Sequence, residues 1–225
     1  MNASLQTELI KYLSGFATEA RLKRFEDVLV NRTRHIAIGL ENIYQPHNAS
    51  AVLRSCDCFG IQDVHIIENE NKYTYNPDVS LGSEKWLTLQ RYNDAQSLDN
   101  CINTLRAKGY AIAVTSLHKD NYTIEEVPLH NKVALFFGTE MRGATDELEG
   151  KADMYVKIPM MGFTESFNIS VAAALSMYVL STRLRKDNIA WQLSEQDKET
   201  LRLQWLRNTI PKVDLLEKDF IQKQK

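Results

Sequence analysis

The chain has 225 residues, 44% of them hydrophobic and 25% charged, with a net charge of −2. This is the composition of a globular protein large enough to bury a full core, and the balance argues against a strongly basic nucleic-acid binder. No stretch approaches the roughly 18 apolar residues of a membrane span, the first 30 residues do not read as a signal peptide, and Cys56, Cys58 and Cys101 are too few for a disulfide framework, so a cytoplasmic protein is expected.

In chain order, residues 3–30 read as helical, with Leu22, Phe25, Val28 and Leu29 at helical spacing. A short β-rich run follows at 35–40. A helix through 51–59 has Asn48 as its candidate cap and Gly60 at its end. Strands are expected at 64–67 and 86–92 on either side of a polar, irregular stretch at 72–85. A helix over 94–108 closes at Gly109, and three more strands fall at 110–115, 133–137 and 154–158. A long helix spans 168–185, Ser194 caps another reaching 208, and Pro211 breaks it before a last short helix.

Strands alternating with helices predict an α/β fold with a mainly parallel sheet covered by helices on both faces. The runs HIAIGL, VHII, AIAV and VALFF are nearly continuous in apolar residues, as strands buried on both faces should be. Residues 35–182 read as one α/β domain, with helical extensions at 1–34 and 183–225. Residues 1–35 hold six Lys/Arg against four Asp/Glu, and residues 183–225 hold ten against seven, so both ends are basic and the centre is acidic. Solvated helix faces explain this as well as extensions that grip a polyanion do.

Ligands of open α/β sheets bind beyond the carboxyl ends of the strands, and three such loops carry chemistry. The first, at 44–55, holds Pro46, Asn48 and Arg54; Arg54 alone reads more readily as a solvated helix residue than as a functional one, and Asn48 as a helix cap whatever else it does. The second, GTEMRGAT at 138–145, nearly matches a phosphate-binding loop, but Ala144 stands where its lysine belongs, which discounts nucleotide hydrolysis. Glu140 sits between its two glycines. The third, IPMMGFTESFNIS at 158–170, is shaped by Pro159 and Gly162, and it offers Ser166 and Asn168 as hydrogen-bonding groups at a helix start. No dinucleotide fingerprint or nucleophile elbow is present, and His35, His47, His65, His118 and His130 lack metal-ligand spacing, so no metal is expected.

In this order the loops resemble the three motifs of the TrmH family within the SPOUT class of RNA methyltransferases: N-x-S-A-x-x-R-S at 48–55, F-G-T-E-x-x-G at 137–143 and I-P-M-x-G-x-x-x-S-F-N-I-S at 158–170. The resemblance covers about 35–182. The N-terminal helix and the PHN-x-S-A wording resemble the branch that methylates the 2′-hydroxyl of guanosine 18 in the D-loop of tRNA. The sequence departs from the family pattern at Phe167 (commonly leucine), Met141 (frequently glycine) and Val179 (commonly glutamate).

The resemblance implies a C-terminal trefoil knot, S-adenosyl-L-methionine as cofactor and a homodimer joined through the helix after the third motif. It also implies cofactor contacts at Thr115, Gly138, Ile158 and Phe167. The catalytic set would be Arg54, Glu140, Ser166, Asn168 and Asn48, with Arg54 acting on the hydroxyl or on a phosphate. Arg21, Lys23, Arg24, Arg32, Arg34, Arg183, Arg185 and Lys186 are the candidate RNA contacts. Competing expectations are methylation of rRNA or of another tRNA position, a non-catalytic RNA-binding module of the same fold, and a small-molecule enzyme.

Overall fold

The computed structural model describes residues 3–223 apart from Asn71, His118, Asp120, Glu140 and Met141. It opens with two helices, α1 (Ala3–Ser14) and α2 (Glu19–Leu29), where the periodicity predicts one. Thr18 causes the break: its backbone is extended and its side chain accepts from the Arg21 amide, a cap that starts a new helix.

Strand β1 (Thr33–Glu41) leads into α3 (Pro46–Phe59), then β2 (Ile61–Ile67), a short helix α4 (Pro77–Ser80), β3 (Thr88–Tyr92) and α5 (Ser97–Ala107). Strand β4 (Tyr110–Thr115), a two-residue strand β5 (Tyr122–Thr123), β6 (Lys132–Phe137), a short helix α6 (Asp146–Glu149) and β7 (Met154–Lys157) follow. The long helix α7 (Ile169–Lys186), then α8 (Glu195–Thr209) and α9 (Val213–Lys223), complete the order.

The seven strands form one sheet in the order β3-β2-β1-β6-β4-β7-β5, and every pairing is parallel. The apolar runs alternate between two cores. Ile36, Ile38, Leu40, Val133 and Leu135 face a core shared with Val52 and Leu53 of α3 and Met177 and Leu180 of α7. Ala37, Ile112, Val114, Ala134 and Phe136 face the opposite core, with Leu98, Ile102 and Leu105 of α5. That two-residue period is why these strands lack a polar side. Each fully buried aliphatic side chain contributes about 1.5–3 kcal/mol to holding the helices on the sheet.

The chain divides into two compact units, Thr33–Trp191 with the sheet, and Met1–Arg32 together with Gln192–Lys225. The two ends therefore form one helical unit rather than separate extensions. In it Phe25 packs edge-on against Trp205, and Arg202 makes a two-pronged bond to Glu26. Arg32 is 1% exposed and lies over the Trp205 ring at 5.6 Å. It is a buried cation held by an aromatic face and cannot be an RNA contact, which corrects that expectation.

Candidate active site

The helix after β1 begins earlier than expected. Pro46 takes the first helical position, where its fixed φ suits the turn, and Gln45 stands at the cap position without a capping bond. Asn48 therefore lies inside the first turn rather than at the cap. Its side-chain amide donates to Gln45 Oε1 at 3.3 Å, and its Oδ1 accepts from Asn168 Nδ2 at 3.2 Å. Asn168 does cap its helix: its Oδ1 accepts from the Ser170 amide at 2.9 Å and from the Ser170 hydroxyl at 2.6 Å. Residues 120 positions apart are thus joined where α3 packs on α7. Arg54, two turns further along α3, is exposed and bonds to none of the described residues.

The loop at 138–145 folds back on itself. Thr139 and Gly143 exchange backbone hydrogen bonds of 2.8 and 3.0 Å. A Cβ on Gly138 would stand 2.1 Å from the Gly143 carbonyl, so no larger residue fits there. Gly143 holds a φ of +72°, which only glycine takes without strain. The far end is tied down by Thr145, whose amide and hydroxyl donate to the two oxygens of Glu41 at 2.9 and 2.7 Å. Glu140 lies outside the described residues.

Three adjacent strands, β6, β4 and β7, deliver their carboxyl-end loops to one cavity of about 400 Å³. Thr115, Gly138, Ile158 and Phe167 all line it, as does Ser166. Arg54, Asn48 and Asn168 are not in its lining. Leu117, Phe137, Ile169 and Ala172 supply apolar surface, and Glu149 and Glu165 supply carboxylates. Glu149 accepts from Ser116 Oγ at 3.2 Å and pairs with Lys119 Nζ at 2.8 Å, and that hydrogen bond holds the Lys119 ammonium above the ordinary lysine range.

Sequence reasoning missed Glu41 and Glu149. Glu41 had one visible signal, a lone carboxylate closing an apolar strand; Glu149 sits in a short acidic stretch that reads as surface.

Among the candidate RNA contacts, Arg21, Lys23 and Arg24 of α2 and Lys186 at the end of α7 are exposed. Arg34 is engaged internally, pairing with Asp63 at 3.5 Å and reaching Thr88. Arg185 donates to the carbonyls of Ser181 and Phe59 and lies 5.1 Å over Trp191, so its guanidinium ties together the ends of α7 and α3. Arg183 is half-buried and donates to the Ile124 carbonyl at 3.3 Å.

A parallel sheet whose neighbouring strand-end loops close around one cavity defines an α/β protein with its ligand site at the carboxyl ends of the strands. Residues 35–178 match the SpoU rRNA Methylase family. The tRNA (guanosine(18)-2'-O)-methyltransferase of Borreliella burgdorferi is 45% identical over 92% of this chain and 94% of its own length. Its namesake from Thermus thermophilus is 36% identical over 72% of this chain and 81% of its own. The crystal structure of A. aeolicus TrmH/SpoU tRNA modifying enzyme superposes with a TM-score of 0.77 at 27% identity, covering 86% of this chain and 98% of that one. The chain belongs to the SpoU methylase family, and it is an S-adenosyl-L-methionine-dependent methyltransferase.

The cavity fits that cofactor. Its volume falls within the range of small-ligand sites, its apolar walls suit a purine, and its polar lining, with Arg142 and Glu165 of opposite sign, suits a ligand that carries both charges. No group of His, Cys, Asp and Glu among the described residues could hold a metal, and no described helix is long and apolar enough to cross a membrane.

Proposed function

We propose that the chain methylates the ribose 2′-hydroxyl of guanosine 18 in tRNA. The observation that carries this reading is the cavity: all four positions expected at the cofactor meet there, in a chain matched along nearly its whole length by a relative with that named activity. When bound, S-adenosyl-L-methionine supplies an electrophilic methyl group with a neutral sulfide as leaving group, so the chemistry calls for no metal.

The protein must orient the hydroxyl for in-line attack and help its proton leave. Arg54 takes the first role, and the hydroxyl proton passes to water as the oxygen–methyl bond forms and the methyl–sulfur bond breaks. A guanidinium stays protonated, so it acts as a donor that holds the hydroxyl or an adjacent phosphate rather than as a base. Its exposure and lack of a described partner support that role. Asn48 and Asn168 brace α3 against the start of α7 and so set where Arg54 stands relative to the cavity. Ser166 shapes the cavity wall, and Glu140 is assigned to orient an arginine. Arg21, Lys23 and Arg24, with Lys186, hold the tRNA.

The family match over residues 35–178 supports a trefoil knot in this chain. The chain also forms a homodimer. Val171, Leu175 and Tyr178 repeat at helical spacing on α7 and are 44%, 40% and 56% exposed, an apolar stripe suited to a second copy. Sedimentation should read two chains per particle. The cytoplasm, where tRNA matures, is the place of work.

Arg54→Ala tests the assignment. Methyl transfer to tRNA should fall by at least about a hundredfold, the scale of lost positioning, with cofactor affinity retained. Wild-type turnover in that variant would remove Arg54 from the catalytic set. Transfer to rRNA instead of tRNA by the wild type would favour the rRNA alternative.

A further inference from the structure

Glu41 is a carboxylate that neither the apolar core nor the chemistry above accounts for. It closes β1, is 0% exposed, and its side chain bonds, among the described residues, to Thr145 alone. Burial pushes its carboxyl above the usual carboxylate range, the bonds from Thr145 pull it partway back, and Glu147 and Glu70 push it up. An ionisable group in such a place destabilises the fold unless its hydrogen bonds compensate.

We propose that Glu41 is a positioning residue for the cofactor cavity, holding the glycine loop at 138–145 in its ligand-binding shape through Thr145. The Thr139–Gly143 bonds close the loop only on itself. Thr145 is where the loop meets the sheet, because β1 lies beside β6, the strand from which the loop departs. A carboxylate suits this role because it offers two acceptor oxygens side by side, one for an N–H and one for an O–H of the same residue.

The anchor reaches a second wall. Thr145 Oγ1 also accepts from the Leu148 amide at 3.2 Å, capping α6, and α6 ends in Glu149, which lines the cavity. One buried side chain thus positions Gly138, Gly143 and Glu149 together.

The inference rests on the cavity being the site of S-adenosyl-L-methionine, and calorimetry with that compound tests it. Glu41→Ala should weaken binding about tenfold or more, the scale of hydrogen bonds to a charged group. Thr145→Val, which keeps the amide bond but loses both the hydroxyl bond to Glu41 and the cap on α6, should also weaken it, and the loss in the double variant should fall short of the sum of the two. Glu41→Gln, which restores one acceptor, should recover part of the affinity. A purely structural role would lower the melting temperature and leave the dissociation constant of folded protein unchanged; that result, or additive losses in the double variant, overturns the proposal. If Glu41→Ala does not fold, unchanged affinity in Thr145→Val overturns it instead. Failure of the wild type to bind would sink the cofactor reading itself.

Discussion

His65 shows how one buried group ties stability to pH. It is 1% exposed on β2, with Nδ1 3.0 Å from the Tyr92 hydroxyl and its ring stacked on that of Tyr92. Burial, with a smaller push from Lys108, lowers its pKa from 6.5 to about 4. Between those values the unfolded chain binds a proton that the folded chain refuses. The His65 contribution is therefore intact above about pH 6.5 and is lost as pH falls toward 4, on the order of 3 kcal/mol in all. Melting temperature should drop over that window, and His65→Gln should flatten the drop; parallel curves for the two proteins would contradict it. Residue identity alone could not reveal this, because a histidine in a strand reads the same whether it faces water or the core. The same limit explains Arg32, which composition placed on an RNA-binding face and packing placed over Trp205. Asn168 was legible as a cap because its bond is local; Asn48 was not, because Pro46 two residues earlier decides where that helix starts.

At the level of elements, strands and long helices were readable from periodicity, since both depend on which face is apolar. Short elements were not: α4, α6 and β5 span four residues or fewer and are held by caps and distant pairings. Helix α2 carries a prediction of its own. Its buried face is Phe25 and Leu29, which leaves Arg21, Lys23 and Arg24 exposed. Replacing all three with alanine should weaken tRNA binding at every sequence. It should also reduce the slope of log affinity against log salt by about 2, at roughly 0.7–0.9 for each phosphate no longer neutralised. An unchanged slope in filter-binding titrations would remove α2 from the RNA interface.

For the whole molecule, the α/β class and the parallel sheet follow from alternating elements, but the strand order does not. It is the adjacency of β6, β4 and β7 that brings the second and third motifs, with the loop after β4, to one cavity, and adjacency is set by crossovers that no local pattern encodes. The motifs named the loops; the topology made them a site. This site delivers a methyl group to one ribose oxygen. The most direct measurement compares two tRNA transcripts, one unmodified and one carrying 2′-deoxyguanosine at position 18, in a radiolabelled methyl-transfer assay. Label should enter the first and be absent from the second, which lacks only the accepting oxygen. Equal incorporation into both would mean that the methyl group goes to some other atom.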